Sequence, residues 1–352
     1  MLIIDSVSKD LGEFRLKDVS LSVEDSEYFI ILGPTGAGKT ILLETIAGIY
    51  GPDSGKIILN DRDITDVPAK DRNIGMVYQD YMLFPHLTVE ENIGFGLKSR
   101  RADPDFIRGK VQESAELLNI SHLLHRHPGT LSGGEQQRTA IARALVMEPD
   151  ALLLDEPLSA LDVKTRESLR GELARIHEAT RTTIIHITHN FEEVFDLADR
   201  VAVMQQGSVV QVGTPDEIFR KPNSDFVADF VGMENLFSGE GSPDGTVTVE
   251  NLRIEVEDGM PGPVSLAIRP EDIHLSKTAP PQNGKNILSG CIRTVRQAGG
   301  IVRIGVDAGI PLQVALTRQG FEEAGVGPGD PVYLSFWPST AHVYPPGDSG
   351  GT

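Results

Sequence analysis

Three short segments of this 352-residue chain carry residue types suited to phosphate chemistry. The first, GPTGAGKT at residues 33–40, has glycines that let backbone N–H groups wrap around phosphate oxygens. In this pattern the lysine, Lys39, reaches the terminal phosphates of a nucleotide, and the hydroxyl of Thr40 binds Mg²⁺. The segment directly follows the apolar run YFIIL and precedes ILLETIAGI, and this strand–loop–helix context makes the motif specific. The predicted phosphate-contacting residues are Gly33, Pro34, Thr35, Gly36, Ala37, Gly38, Lys39, Thr40 and Ile41.

The second segment, ALLLDEP at residues 151–157, ends an apolar run with two adjacent carboxylates. Asp155 fits the acid that holds Mg²⁺ beside such a loop. Glu156 follows at once, where it can orient or deprotonate an attacking water. Two carboxylates at a strand end could also begin a solvated loop, but the phosphate-binding segment earlier in the chain favours the catalytic interpretation.

The third segment, LSGGEQQR at residues 131–138, contains no obvious catalyst. Ser132 and Glu135 fit the S-x-x-E capping box, and apolar residues follow at helical spacing as far as Pro149. A first helical turn that is nearly bare of side chains exposes N–H groups and the positive end of the helix dipole, which suits an anion. An ordinary capped helix explains the same letters, so this segment alone leaves both interpretations open.

The elements that must position these residues follow two different patterns. The chain up to residue 232 alternates strand-like and helix-like runs, which predicts an α/β domain of the P-loop type with helices inserted over residues 85–150. Residues 233–352 contain short strands between Gly, Pro and Asp turns, which predicts an all-β domain of small barrels. We find no repeat of about 20 to 50 residues, although the β region could contain two related small barrels.

Composition excludes several classes of function. No apolar run reaches the ~18 residues that a membrane span needs, and the pattern of a signal peptide is missing, so we expect a protein kept inside the cell. The single cysteine, Cys291, excludes an intrachain disulfide and a cysteine-based zinc site. A net charge of -19 argues against general nucleic-acid binding.

In their order along the chain, the motifs resemble those of the nucleotide-binding subunit of an ATP-binding cassette (ABC) transporter. The resemblance covers residues 1 to about 230 and rests on the P-loop, VYQDYMLFPHLTVEENI, LSGGEQQR, ALLLDEP, LSALD and ITHN. It implies ATP and Mg²⁺ as cofactors, with Thr40, Gln79 and Asp155 around the metal. It also implies that Glu156 is the catalytic base and that His189 steadies Glu156 and the γ-phosphate. His186, three residues earlier, is interpreted as a structural histidine.

The same resemblance implies an assembly. In this family two subunits sandwich two ATP molecules head to tail, and the signature helix of each caps the γ-phosphate held by the other. Ser132, Gly133 and Gly134 would make these contacts, and Asp162 lies in the segment that crosses to the partner. The implied partners are a second copy, two integral-membrane permease subunits and, indirectly, a periplasmic or extracellular solute-binding protein. The implied location is peripheral, on the cytoplasmic face of the cell membrane.

A few positions depart from the family pattern or keep a second interpretation. Ile41 replaces a hydroxyl, Asn190 stands where Asp is usual, and Leu11 stands where an adenine-stacking aromatic is common, although Phe14 is near. None of these positions touches the cleavage chemistry. In the family, the apolar segment after Gln79 lines a groove for a helix of the membrane protein; core packing would use the same side chains, which are Tyr81, Met82, Phe84 and Pro85.

The C-terminal region points to a class of solute. LAIRPEDIHLS resembles the accessory TOBE barrels of importers for sugars, polyamines, iron, sulfate and molybdate, and the chain from Lys285 onward resembles the Mop-like fold of molybdate and tungstate importers. In those importers a bound oxyanion inhibits transport, which implies contacts from Lys285, Asn286 and Ser339. Trp337 departs from the pattern, because a basic residue is common there. An importer of sulfate, iron(III), polyamine or sugar, and a soluble ABC ATPase without a transport role, stay open as alternatives.

Overall fold

The structure is a computed structural model that describes residues 1–346. Its internal contacts divide the chain into two compact units, Met1–Pro215 and a second unit that begins at Asp216. The boundary predicted from sequence texture, at residue 232, falls later because the short helices before it group with the second unit. Residues 347–352, which the predicted β domain included, lie outside the described part. None of the helices up to residue 346 combines the length and the apolar character that a membrane span requires.

The first unit is built on two sheets. Its strands are β1 (Leu2–Asp10), β2 (Arg15–Val23), β3 (Tyr28–Leu32), β4 (Ser54–Leu59), β5 (Arg62–Asp63), β6 (Ile74–Val77), β7 (Ala151–Asp155), β8 (Thr183–Ile187), β9 (Arg200–Gln205) and β10 (Ser208–Gly213). One sheet has the order β2-β1-β4-β5 and is antiparallel throughout. The other has the order β10-β9-β3-β8-β7-β6 and is parallel except for β10 at its edge.

The parallel sheet sets the position of the chemistry. Every residue of β3, β7 and β8 is buried, as expected for apolar strands covered on both faces. These three strands and β6 are neighbours and run in the same direction, so their carboxyl ends meet along one edge of the sheet. Ligands of open α/β sheets bind outside that edge. The phosphate-binding loop, Gln79, Glu156 and His189 directly follow these strands, whereas LSGGEQQR begins α4 within the helical insertion.

The helices of the first unit are α1 (Lys39–Ala47), α2 (Val89–Ser99), α3 (Pro104–Leu117), α4 (Gly133–Leu145), α5 (Val163–Thr180) and α6 (Phe191–Leu197). Helices α2, α3 and α4 come between β6 and β7, which confirms the predicted helical insertion. Each of the three begins at a capping side chain, namely Thr88, Asp103 and Ser132. Such caps satisfy N–H groups that the first turn leaves free, typically by ~1 kcal/mol.

The second unit is mostly β, as predicted. Its strands are β11 (Asn235–Ser242), β12 (Thr246–Val249), β13 (Leu252–Glu255), β14 (Gly262–Ile268), β15 (His274–Ser276), β16 (Asn286–Ala298), β17 (Ile301–Asp307), β18 (Pro311–Thr317), β19 (Pro331–Phe336) and β20 (Ala341–Tyr344). The short helices are α7 (Pro215–Arg220), α8 (Asp225–Phe230) and α9 (Arg318–Ala324). One apolar core, with contributions from both halves of the unit, fills the space between the strands.

The two sheets of this unit are related copies that exchange a strand. Their orders are β13-β12-β11-β14-β20 and β18-β17-β16-β19-β15, so β15 follows β14 along the chain but pairs with β19, while β20 follows β19 but pairs with β14. A 3₁₀ turn precedes each exchanged strand. The segments IRPEDIHLS (residues 268–276) and FWPSTAHVY (residues 336–344) occupy equivalent places and share Pro and His. The sequence left open two related small barrels; the structure contains two related five-stranded sheets around one shared apolar core.

Two buried asparagines at equivalent places tie the sheets together. The amide of Asn286, at the start of β16, accepts from the N–H of Glu255 at 2.7 Å and donates to its C=O at 2.8 Å. Asn235, at the start of β11, accepts from the N–H of Gln313 at 2.6 Å and donates to its C=O at 3.0 Å. Glu255 and Gln313 lie on the edge strands β13 and β18, so each amide pairs backbone groups of the opposite sheet.

Candidate functional site

The predicted phosphate-binding loop leaves the carboxyl end of β3 and runs into α1. Gly36 and Gly38 have φ of 81° and 98°, a conformation that favours glycine. Gly33 approaches β9 so closely that a Cβ there would meet the carbonyl oxygen of Met204. Phe14 packs against Gly38, where a Cβ would collide with its ring, so this aromatic supports the loop. The backbone geometry fits a loop whose N–H groups surround an anion.

The ammonium group of Lys39 is directed towards the backbone of the phosphate-binding loop. Its Nζ donates to the carbonyl oxygens of Gly33 at 2.8 Å and Pro34 at 3.0 Å, and the residue is only 7% exposed. Burial lowers the pKa of the ammonium, while the nearby carboxylates Glu156 and Asp155 raise it. The side chain is thus held near the loop, where phosphate oxygens can replace the carbonyl partners.

Asp155, the last residue of β7, is the predicted metal acid. The hydroxyl of Thr40 donates to its Oδ1 at 3.2 Å, so two predicted magnesium ligands from different elements lie together. Burial raises the pKa of Asp155, and the hydrogen bond from Thr40 opposes that rise. Hydroxyl and carboxylate oxygens are hard donors of the kind Mg²⁺ prefers, so this donor pair fits that ion. Gln79, exposed just beyond β6, lies at the end of the neighbouring strand.

Glu156 and His189 come together at the ends of adjacent strands. The carboxylate Oε2 of Glu156 lies 3.4 Å from Nδ1 of His189. The N–H of Glu156 donates to the carbonyl oxygen of Ile187 at 3.0 Å, which joins the end of β7 to the end of β8. Glu156 has φ of 45°, a left-handed conformation that a non-glycine residue rarely adopts and that is often found at functional sites. No residue type or spacing in the sequence predicted this conformation.

The predicted capping box of LSGGEQQR is confirmed. Backbone N–H and hydroxyl of Ser132 both donate to the carboxylate of Glu135, at 2.7 and 2.8 Å, and the N–H of Glu135 points back to the hydroxyl at 3.4 Å. These bonds from Ser132 lower the pKa of Glu135. Helix α4 ends at Leu145, before the predicted stop at Pro149.

The signature helix packs against the segment after Glu156. A Cβ on Gly133 would lie 3.3 Å from the side chain of Leu161, and one on Gly134 would lie 2.9 Å from that of Thr165. Asp162 caps α5 by accepting from the N–H of Thr165 at 3.1 Å. Gly134 thus leaves room for the side chain of Thr165, and a side chain at position 133 would require a small shift of Leu161, whatever else the two glycines contact.

Two residues that the sequence reasoning missed hold the segment after Gln79. The guanidinium of Arg143, on α4, donates to the carbonyl oxygens of Tyr81 at 3.1 Å and Met82 at 2.8 Å and lies over the ring of Phe84. Asn92, on α2, is fully buried and exchanges hydrogen bonds with both the N–H and the C=O of Phe84. Both residues lie within helices, where their spacing indicates only packing between helices. The sequence therefore does not reveal that their side chains bind a loop.

Next to this segment lies a groove of about 450 Å³ between α2 and α3. Phe95 on its wall is 41% exposed, and its ring centroid lies 4.4 Å from that of Phe84. Met82 is 56% exposed, whereas Tyr81 is only 8% exposed and packs in the core. The apolar segment is thus divided between core packing and exposed surface.

In the second unit, two of the three residues predicted to contact an oxyanion, Lys285 and Asn286, contact other residues of the protein. Nζ of Lys285 lies 4.6 Å from the centre of the Trp337 ring, which is a cation–π contact. The amide of Asn286 is already paired with the backbone of Glu255, which differs from its predicted contact role. Ser339 is exposed in the 3₁₀ turn before β20.

Comparison with known proteins gives a consistent result. The family described as ABC transporter matches residues 16–159, and the TOBE domain matches residues 266–343. The chain is similar to the molybdate/tungstate import ATP-binding protein WtpC of Pyrococcus horikoshii, with 46% identity over 98% of this chain and 100% of that protein. It is 52% identical to WtpC of Thermococcus kodakarensis over 78% of this chain and 83% of that protein.

A more distant relative and a solved structure complete the comparison. The sulfate/thiosulfate import ATP-binding protein CysA of Burkholderia pseudomallei is 40% identical over 97% of this chain and 98% of its own length. The dimeric post-hydrolysis structure of the ATP-binding cassette MJ0796, bound to ADP and Pi, is similar with a TM-score of 0.55 and 29% identity, over 61% of this chain and 99% of that one.

Proposed function

The chain belongs to the family of ABC transporter ATP-binding subunits, and from this premise we propose that it energises an importer of molybdate or tungstate. The observation that carries the proposal is the meeting of Lys39, Asp155, Glu156 and His189 at the carboxyl ends of adjacent strands. ATP hydrolysis needs phosphate binding, metal binding and an activated water, and these side chains supply all three.

Each residue has a part in the proposed hydrolysis. The loop from Gly33 to Thr40 and the ammonium of Lys39 hold the phosphates. Thr40, Asp155 and Gln79 would hold Mg²⁺, which neutralises charge on the phosphate oxygens. Glu156 accepts the proton of the attacking water, and His189 holds Glu156 and the γ-phosphate in place, because its ring is already 3.4 Å from that carboxylate.

We propose a homodimer in which each site is completed by the partner's signature helix. Support comes from the dimeric form of the similar cassette MJ0796 and from the bare first turn of α4, where Ser132 is the N-cap. That turn offers free N–H groups and the dipole's positive end to a γ-phosphate. Asp162, which begins α5 beside Gly134, would lie near the same interface.

The proposed membrane partners are two permease subunits that dock a helix in the groove between α2 and α3. Phe95 on the wall of this groove is exposed, and exposed Met82 lies in the segment after Gln79 next to it; both support this docking, since a docked helix buries such apolar side chains. The subunit would then lie peripherally on the cytoplasmic face of the membrane and receive solute indirectly from a periplasmic or extracellular binding protein.

The choice of solute rests on similarity along nearly the whole chain. The relatives named for molybdate and tungstate are 46% and 52% identical, whereas the sulfate/thiosulfate relative is 40% identical. Sulfate import, the function named for that relative, is the second candidate. We also propose that molybdate or tungstate regulates the ATPase by binding to the second unit. Lys285 and Ser339 would contact the anion, whereas Asn286 stabilises the fold through its hydrogen bonds with the backbone of Glu255.

Reconstitution of the complete transporter with its solute-binding protein tests the assignment. Molybdate or tungstate should stimulate ATP hydrolysis through the loaded binding protein and accumulate inside the vesicles, while sulfate should do neither. The same complex carrying Glu156→Gln is the control, and it should bind ATP without transport. Accumulation of sulfate instead of molybdate or tungstate would transfer the assignment to the second candidate.

A further inference from the structure

Gln79 lies in a tight turn just beyond the carboxyl end of β6. The N–H of Tyr81 donates to the carbonyl oxygen of Tyr78 at 3.0 Å, which closes the turn around Gln79 and Asp80. The Gln79 side chain is exposed, so packing around it does not fix where it points. The backbone of the turn must therefore position this residue.

The two ends of the turn are held in different ways. At its entry, β6 pairs with β7, so that Val77 lies opposite Leu154, the neighbour of Asp155. At its exit, Tyr81 and Met82 have φ of 60° and 45°, two consecutive left-handed residues that are not glycine. Such a conformation is strained and persists only where its surroundings fix it. The exit of the turn therefore needs an anchor.

Arg143, on the signature helix α4, supplies that anchor. Its guanidinium donates to the carbonyl oxygens of both strained residues, Tyr81 at 3.1 Å and Met82 at 2.8 Å, and lies 5.4 Å from the centre of the Phe84 ring. Burial lowers the pKa of Arg143, and within residues 1–346 its charge meets these oxygens and the ring face rather than a paired carboxylate. A planar guanidinium reaches two neighbouring oxygens at once, whereas a lysine ammonium is a single point of charge.

The ring of Tyr81 is held by the same helix. Tyr81 is 8% exposed, and its hydroxyl lies 3.7 Å from the place that a Cβ on Gly133 would occupy. Gly133 is the first residue of α4, and Arg143 lies in its last turn. The chain that leaves the turn is therefore fixed to α4 both through its backbone and through a buried ring.

We propose that Arg143 is a positioning residue for ATP hydrolysis, which holds the two strained carbonyl groups and so fixes the turn that carries Gln79 towards the proposed Mg²⁺ site. The inference rests on the proposed role of Gln79 as a ligand of Mg²⁺. The guanidinium of Arg143 is bound to the loop, so it acts on the rate through the backbone of the turn and not by contact with nucleotide.

Steady-state ATPase kinetics of the full-length chain at varied Mg²⁺ concentration test this role. Arg143→Lys keeps the charge but cannot bridge both carbonyl oxygens. It should lower kcat about 10-fold and raise the Mg²⁺ concentration for half-maximal hydrolysis about as much, the usual cost of losing the support behind a metal ligand. The matched control is Arg175→Lys, because exposed Arg175 donates to one carbonyl oxygen, that of Leu117, and this variant should behave as wild type.

Isothermal titration with ATP gives a second readout that does not depend on turnover. The titrations use Glu156→Gln, with and without Arg143→Lys, so that ATP is bound and not hydrolysed. In EDTA the two chains should bind ATP with affinities within about twofold, because the phosphate-binding loop is unchanged. With Mg²⁺ the double variant should bind about 10-fold more weakly. A general loss of folding would weaken both titrations alike.

A double-mutant cycle with Gln79→Ala identifies the residue through which Arg143 acts. If the turn is the link, adding Arg143→Lys to Gln79→Ala should lower kcat by less than about twofold further. Arg143→Ala should lose more activity than Arg143→Lys, and if it does not fold, the lysine variant still gives every comparison.

Three outcomes would each overturn the proposal. They are a kcat of Arg143→Lys within about twofold of the control, equal losses of ATP affinity with and without Mg²⁺, and additive losses in the cycle. Failure of the proposed function looks different, because wild type would then not hydrolyse ATP or Glu156→Gln would retain the wild-type rate.

Discussion

Glu156 holds its carboxylate in a backbone conformation that costs free energy. A non-glycine residue at φ of 45° is strained by about 1–3 kcal/mol and persists only when its surroundings fix it. Here the hydrogen bond from its N–H to Ile187 supplies that fixation, and the carboxylate is directed towards His189. At the residue scale the motifs were predictable because each is local in sequence, whereas this strain depends on a hydrogen bond to a neighbouring strand.

Glu156→Gln should nearly abolish hydrolysis while ATP binding persists. The amide cannot accept the proton of the water, and loss of a general base typically costs ~10²–10⁴-fold. Single-turnover hydrolysis with labelled ATP measures the rate, and size-exclusion chromatography with ATP should reveal a trapped dimer. A near wild-type rate would show that another group is the base.

Ser132→Arg should block the dimer while monomer affinity for ATP stays close to wild type. The long side chain would fill the space where the partner's γ-phosphate is held, and hydrolysis should no longer rise with protein concentration. The control is Asp103→Arg, which removes the cap of α3 in the same way, away from the phosphate-binding motifs. If both variants hydrolyse ATP like wild type, Ser132 has no contact with the partner's nucleotide.

At the scale of elements, helices and strands of the first unit followed their sequence patterns closely. Apolar runs became the buried strands β3, β7 and β8, and capping residues marked where α2, α3 and α4 begin. The exchange of β15 and β20 was not predictable, because alternation of apolar and polar residues specifies a strand but not which partner it pairs with. The two copies also share too few residues to reveal the duplication by eye.

Asn286→Ala and Asn235→Ala should each destabilise the second unit by about 2 kcal/mol, because each leaves a backbone N–H and C=O of an edge strand without its partner. Trp337 is the only tryptophan of the chain, so its fluorescence during urea unfolding reports on this unit. Asn251→Ala, at an exposed turn, is the control and should change stability by less than about 0.5 kcal/mol. Equal stability of all three variants would show that the two amide groups do not stabilise the packing of one sheet against the other.

At the scale of the whole molecule, the residues proposed for catalysis all precede residue 190, in the first unit. The second unit can therefore influence the rate only by favouring one state of the assembly over another, and a regulatory anion must bind those states with different affinity. A difference of about 1.4 kcal/mol per site would change the balance tenfold.

Micromolar molybdate or tungstate should slow ATP hydrolysis by the complete transporter, and the smaller sulfate should do so far less. Lys285→Ala should weaken this inhibition without changing the basal rate, because it removes the cation next to Trp337. Lys277→Ala, an exposed lysine of the same unit, is the control. Isothermal titration of the same complexes measures anion binding directly, and the absence of any effect of either oxyanion would leave the second unit without this regulatory role.

The exchanged strands give the second unit an unusual tolerance of a broken chain. The segment between β15 and β16, residues 277–285, is largely exposed, and it is the only covalent link between the two halves of the β region. A protease that cuts there would leave two fragments, each still contributing a strand to the other's sheet. Neither fragment could leave without breaking both pairings, so the halves should stay together as an interlocked pair. Insertions in residues 277–285 should likewise be tolerated, because the strand pairings that hold the two halves together lie outside this segment.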